Sequence, residues 1–423
     1  MKIAIIFDNF GPYHLARLRA AARVADVLGV EVAASSAEYA WKRETESGKQ
    51  KTESGDEFQI SDVKTVTLLE RGTSRGISSR ELAARLNRAL EDFQPQAVFI
   101  PGWSSRMAFI ALSWCARNGV PVVTMSESTE WDEARTGWKE WMKRRIVGLC
   151  SAALVGGRPH KDYMVKLGMP AERVFLGYDA VDNDYFAQSA KEVRRKFGLP
   201  DKYFLASARF IKKKNLPRLI QAYARYRELA EMEVGSWKLE VGGEKSAIGN
   251  RQSAIWNLVL LGDGPMCSSL KSQVSSLNLG NSVHLPGFKQ YPDLPAYYAH
   301  AGAFIHASTT EQWGLVVNEA MASGLPVLVS NRCGCAADLV QEGVNGFTFD
   351  PLNVEQLAQL MFQVSGFRFQ VSEFGAASAR IIAGWGPERF ASGLMQAAEC
   401  ALRAGPVKPD LLQRTILNAL LKK

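Results

Sequence analysis

The sequence predicts an α/β protein built from two Rossmann-like domains. Two observations carry this. Short apolar runs, each ending in a turn that opens a helical pattern, recur through both halves: 2–7, 97–100, 120–125 and 152–155, then 203–208, 256–262, 283–285 and 303–306. The chain is also long enough, at 423 residues with 47% hydrophobic and 22% charged side chains, for two ordinary cores. A charged connector at 184–200 separates the halves. The expected domains are therefore 1–187 and 188–387. The turn Trp385-Gly386-Pro387 leads into a last segment, 388–423.

The bulk numbers narrow the partners. Net charge is +8, which suits an anionic substrate or an anionic membrane surface. Lysines and arginines are dispersed and form no nucleic-acid motif, so no nucleic acid is expected. The six cysteines are scattered, which implies no disulfide framework, and Cys333-Gly334-Cys335 lacks the second ligand pair of a zinc site. A reducing, cytoplasmic compartment follows. Residues 2–7 read as a strand rather than a signal peptide, and no apolar run reaches the length of a membrane span.

In the first half, residues 13–27 carry helical period after the turn at Asn9-Phe10-Gly11-Pro12, where Gly11 permits close approach of a ligand. The turn is not G-x-G-x-x-G. His14 either faces a ligand or is an ordinary helix-surface histidine. Residues 44–56 are polar and read as a loop. Glu127 and Glu130 follow the strand 120–125; each is either a contact for a ligand or a solvated loop acid. The run WKEWMKRR (138–145) places Trp138, Trp141 and Met142 on one helix face with Arg145 near it. It reads as a membrane-facing or lipid-phosphate-holding helix, or as a solvated helix packed by its tryptophans.

The second half carries the chemistry. After the strand 203–208 come Arg209, Lys212, Lys213, Lys214 and Asn215, then a helix from Leu216. Cations at a strand-to-helix turn are the composition of a phosphate clamp, with Lys212 and Lys213 the more solvated. Two similar runs, 237–243 and 256–262, both read as strands. The polar stretch 238–255 between them reads as an insertion, and the second run leads into Gly262-Asp263-Gly264-Pro265. Residues 311–327 read EQWGLVVNEAMASGLPV. Glu311 belongs to the loop after a strand, and Glu319 lies one turn inside the helix that starts past Trp313-Gly314-Leu315. The first amides of that helix form an anion site. Glu319 could accept both hydroxyls of a ribose, and Glu311 could reach sugar hydroxyls beyond the phosphate. The bland alternative is a surface helix with two solvated acids. The tail 409–423 is amphipathic and either docks on the first domain or lies on a membrane.

The 311–327 run resembles the E-x7-E signature of retaining glycosyltransferases of GT-B fold, family 4 above all, with Trp313 in place of the usual Phe. GCAADLV (334–340), EGVNGFTF (342–349) and Asp350-Pro351 are similar too, with Asp338 where Glu is more usual. The resemblance implies two Rossmann-like domains facing across a cleft, with the last helix crossing back to the first domain. It implies transfer of a sugar from a nucleotide-sugar donor to a glycan or lipid-linked acceptor, with retained configuration. Arg209, Lys214 and Glu311 would be catalytic. Gly11, Gly262, Gly264, Trp313, Gly314, Leu315 and Glu319 would bind the donor. No metal and no cofactor beyond the nucleotide sugar are expected, and the enzyme would be cytoplasmic and peripheral at the inner face of the membrane. Where the family usually has a histidine, this chain has Ser126 and Glu127. Competing readings are a GT-B epimerase, a phosphorylase, and a non-catalytic nucleotide-sugar-binding protein.

Overall fold

The structure, a computed structural model, describes residues 1–34, 63–70, 76–188, 198–240, 255–366 and 369–421. The polar stretch 44–56 and residues 241–254 of the expected insertion lie outside these. The chain divides into two compact units, Met1–Val181 with Trp385–Lys423, and Asp182–Gly384. The division falls earlier than the expected Ala187 because of the short helix Asn183–Ala187. Within the second unit Phe186 packs edge-on against Tyr298 and Tyr291, and Tyr185 stacks on Tyr291 at 4.5 Å.

The first unit is a parallel sheet in the order β3-β2-β1-β4-β5-β6-β7. The strands are β1 (Lys2–Phe7), β2 (Asp26–Glu31), β3 (Lys64–Thr67), β4 (Ala97–Pro101), β5 (Val122–Ser126), β6 (Ala152–Val155) and β7 (Val174–Leu176). Alternate residues of β1 go to opposite faces: Ile3, Ile5 and Phe7 join one core, Ala4 and Ile6 the other. The helix Pro387–Ala404 returns to this unit and packs Phe390, Leu394 and Ala398 into the first core. Gly393 is required there, because a Cβ would sit 2.4 Å from the Leu176 carbonyl. The helix expected over 13–27 stops at Ala22, since Val27, Leu28 and Val30 are buried in β2 alongside β1.

The second unit is a parallel sheet in the order β10-β9-β8-β11-β12-β13. Its strands are β8 (Tyr203–Ser207), β9 (Asn257–Leu261), β10 (Val283–Gly287), β11 (Ala303–His306), β12 (Val327–Ser330) and β13 (Gly346–Phe349). The expected strand at 237–243 is overturned for its first four residues, which close the helix Leu216–Glu240. Leu216, Leu219, Ile220, Tyr223, Tyr226 and Ala230 bury one face at helical spacing, and the helix they anchor continues to Glu240. Only the later run pairs, between β8 and β10. Among the described residues no helix is long and apolar enough to cross a membrane.

Candidate active site at the carboxyl edge of the second sheet

Strand order decides where this site forms. β9 and β10 extend the sheet on one side of β8, while β11, β12 and β13 extend it on the other. The loops leaving β8 and β11 therefore diverge, and open α/β sheets bind ligands at this switch point. The loop after β8 carries Arg209 and the 3-10 turn Lys212–Lys214. The loop after β11 carries Ser308 and Glu311.

Asn215 fastens the two loops together. It adopts the left-handed conformation (φ 57°) and is buried. Its Nδ2 donates to the carbonyls of Ala307 (3.1 Å) and Pro351 (2.7 Å). The Thr309 amide donates to the Lys213 carbonyl at 2.8 Å. Glu311 is thereby brought against the cations. Lys214 Nζ bonds its Oε2, and Lys213 Nζ lies 3.4 Å from its Oε1. Ser308 Oγ donates to Oε2 at 3.2 Å, and His306 Nε2 is 3.5 Å from the same oxygen. Lys212 is exposed as expected, but Lys213 is not simply solvated: it joins this pair.

Burial pushes the Glu311 carboxyl up, but the hydrogen bond from His306 and the charges of Lys214 and Lys213 outweigh it and hold the group well below its ordinary 4.5. Burial holds His306 below its ordinary 6.5 against the pull of Glu311, so it is neutral at pH 7. Both groups take up protons more readily once unfolded. Their stabilisation is complete above pH 6.5, is lost first from His306 as pH falls, and then from Glu311 below 4.5. The wild type should thus lose stability between pH 7 and 5. His306→Asn should flatten that slope by at most about 1.4 kcal/mol per pH unit, read from urea midpoints at the two pH values.

The glycines after β9 position the Arg209 segment. Gly262 (φ 136°) and Gly264 (φ 153°) lie against it: a Cβ at Gly262 would sit 1.9 Å from the Ala208 carbonyl, and one at Gly264 2.8 Å from the Phe210 carbonyl. Without side chains, the two segments exchange bonds from Ala208 N to Leu261 O (2.9 Å), Phe210 N to Asp263 O (2.8 Å) and Met266 N to Phe210 O (3.0 Å). Gly262→Ala should destabilise the fold by about 4 kcal/mol, from backbone strain plus the clash. Gly280→Ala, with open space around it and no left-handed φ, should be nearly neutral in the same denaturant titration.

The second acid is held from below. The Glu311 amide donates to Arg332 O (3.1 Å), and the Gly334 and Cys335 amides donate back to Glu311 O and Trp313 O (3.1 and 3.2 Å). The Trp313 indole is 1% exposed and donates to Asn318 Oδ1 at 2.8 Å, so it wedges the loop and can offer a ligand only its backbone. The helix Leu315–Ala322 starts at Gly314 (φ 105°); Val317 N donates to Gly314 O at 2.8 Å, and the amides of Leu315 and Val316 before it have no acceptor within the helix. Glu319 is 1% exposed, and its Oε2 accepts a 2.5 Å bond from Tyr298 Oη. Burial, then the Glu319 charge, keep Tyr298 a phenol, and Ser207 at the end of β8 also bonds it. Short bonded chains thus link the loop bearing Arg209, the Lys214–Glu311 pair and Glu319 within this unit. Sequence reasoning missed Asn215, Tyr298, His306 and Ser308. The usable signals were an asparagine closing a lysine turn and a histidine ending an apolar strand.

Gly11 stands in the first unit, outside this assembly. Its amide donates to His14 Nδ1 at 3.2 Å, and His14 packs on the Phe7 ring at 4.5 Å. Burial, then Arg17, lower His14 to about 3, so it is a neutral helix-start acceptor. Glu130 is exposed and paired with Lys166. Glu127 is half-buried beside the buried Asp179, whose carboxyl is raised by burial and then by Glu127, against the pull of Arg17 at 3.7 Å.

An open parallel sheet with cations, a helix start and an acid gathered at its switch point is an arrangement of α/β domains suited to a phosphate-bearing ligand. Residues 189–365 match the model of the family described as glycosyl transferases group 1, a match that falls within the second unit. Sulfoquinovosyl transferase SQD2 of Arabidopsis thaliana is 40% identical over 101 residues, 23% of this chain and 19% of the relative. The matched segments span less than half the length of the curated relatives. Two solved structures extend the likeness to both units. HepE of Anabaena, in complex with UDP-glucose, has a TM-score of 0.67 at 17% identity, over 94% of this chain and 98% of that one. WaaG, a glycosyltransferase involved in lipopolysaccharide biosynthesis, has a TM-score of 0.60 at 16% identity, over 94% and 98%. The fold is GT-B.

Proposed function

We propose that the protein is a nucleotide-sugar-dependent hexosyltransferase that moves a sugar to a glycan or lipid-linked hydroxyl, with retained anomeric configuration and without a metal. The observation that carries this is the joining of Lys214, Lys213 and Glu311, on the loop that carries Arg209 and near the Gly314 helix start, at the switch point of a domain that matches glycosyl transferases group 1. Breaking a sugar–phosphate bond builds negative charge on the departing diphosphate and positive charge on the sugar. Arg209, Lys214 and the amides of Leu315 and Val316 supply fixed positive charge where the diphosphate departs, the work a metal would otherwise do. Glu311, held ionised, accepts from sugar hydroxyls. Glu319 accepts from a pentose hydroxyl with the lone pairs Tyr298 leaves. Gly262 and Gly264 bring backbone close to the nucleotide. Retention rests on the likeness of 311–327 to the E-x7-E signature. That HepE was solved with UDP-glucose supports a nucleotide-sugar partner. Six free cysteines fit a reducing, cytoplasmic compartment, and a lipid-linked acceptor would bring the enzyme to a membrane as a peripheral protein.

The test is incubation with a panel of nucleotide sugars, with and without glycan and lipid acceptors, with and without chelator. Nucleoside diphosphate released only with acceptor, at a rate chelator leaves unchanged, and an α-linked product from an α-linked donor support the proposal. A new nucleotide-sugar epimer formed without acceptor would make it an epimerase, and binding without turnover a sugar-nucleotide-binding protein.

A further inference from the structure

The helix Gly137–Val147 and the helix Leu411–Leu421, far apart in sequence, meet on the surface of the first unit. Gln413 Nε2 donates to the Arg145 carbonyl at 3.1 Å, and Arg145 Nη1 lies 3.7 Å from Asp410 Oδ2. Each helix is anchored from beneath, by Ile146 and Val147 in one and Leu417 in the other, all within the sheet's core. The tail therefore docks on the first unit, and both helices still leave large apolar side chains in water. Trp138 is 67% exposed, Trp141 43%, Leu411 83% and Leu412 43%. Leu411 and Trp138 are the two most exposed large apolar residues among those described. Trp138 stands in water, and Trp141 is covered only in part, beneath the Arg145 side chain.

Charge completes the surface. Lys139, Arg144, Lys408 and Arg414 are exposed on the same two segments, and the Arg145 guanidinium lies 5.5 Å over the Trp141 ring. The acids nearby are turned to other partners: Glu140 accepts from Tyr163 Oη at 2.9 Å, and Asp410 accepts from the Gln413 amide at 2.7 Å. A protein interface would put aromatic groups at a centre depleted of lysine. Here tryptophan and leucine alternate with lysine and arginine, the composition of a surface that lies in a lipid headgroup layer.

We propose that this two-helix face docks on a bilayer carrying anionic lipid. Trp138, Trp141, Leu411 and Leu412 enter the boundary between headgroups and acyl chains, and the flanking cations meet lipid phosphates. The full-length protein should co-float with vesicles of phosphatidylcholine plus phosphatidylglycerol, far less with phosphatidylcholine alone, and less as salt rises. The pairs Trp138→Ser/Trp141→Ser and Leu411→Ser/Leu412→Ser should each lower the bound fraction roughly tenfold or more. Lys139→Gln/Arg144→Gln should lower it about tenfold and flatten the salt dependence. All these side chains are exposed or nearly so, and the thermal midpoint of each variant should match the wild type. Equal binding to both vesicle types, or variants that float like the wild type, would overturn the proposal. So would a wild type that ignores vesicles and instead dimerises through this face, with the dimer lost in the tryptophan pair.

Discussion

Lys214→Ala should lower turnover by about 10²–10³-fold, the loss usual for removing one fixed charge aimed at a developing anion. Lys214 is bonded to Glu311 and stands on the turn that follows β8, with its side chain only 12% exposed. Its removal acts twice. The departing diphosphate loses a cation, and Glu311 loses a charge that holds its carboxyl low, so the acid climbs back towards its ordinary range. Stability should fall by about 2–3 kcal/mol, less than for a fully buried pair because Lys213 and His306 still face the carboxylate. The two consequences separate experimentally. Single-turnover rates with saturating donor report the charge, and the urea midpoint reports the pair. Lys214→Arg keeps the charge but spreads it over a planar fork, so it should recover part of the stability and less of the rate. Lys212→Ala, on an exposed side chain of the same turn, should change neither. If Lys214→Ala turned over at the wild-type rate, the cation would not face the leaving group.

The elements visible in the sequence were those whose signals are local. Residues 303–306, 311–327 and 203–215 each pair a buried strand with a turn of distinctive chemistry, and there the strand, the loop acid and the helix fall where spacing puts them. What escaped depends on contacts between distant residues. Asn215 looks like one more polar loop residue until Ala307 and Pro351, 92 and 136 positions away, present their carbonyls to it. Tyr298 sits in a short helix without distinctive chemistry, and only folding brings its hydroxyl to Glu319. The run 237–243 misled for the converse reason. Taken alone it has strand-like composition, whereas its first four residues close a helix anchored from Leu216 to Ala230 by a buried face. Trp313 illustrates a further limit. Its place in the motif suggested a ligand contact, whereas burial and the bond to Asn318 give its ring to the scaffold.

Glu319→Gln should raise KM for the nucleotide sugar roughly 10–100-fold with a smaller effect on kcat, because a pentose contact is made in ground and transition states alike. The amide has the carboxylate's shape and can still accept from Tyr298. It loses the charge, and it presents a donor where a hydroxyl proton was being accepted. A donor lacking the 2′-hydroxyl isolates the interaction. The wild type should bind the deoxy donor about tenfold or more weakly than the ribo donor, while Glu319→Gln should scarcely distinguish them. Tyr298→Phe addresses the scaffold instead. It leaves Glu319 charged and buried without its 2.5 Å partner, so it should lower the urea midpoint while preserving the preference for ribose. If Glu319→Gln discriminated ribose from deoxyribose as well as the wild type does, the acid would serve only to hold Tyr298 beneath the loops that carry Arg209 and Glu311, and the pentose would have to be recognised elsewhere.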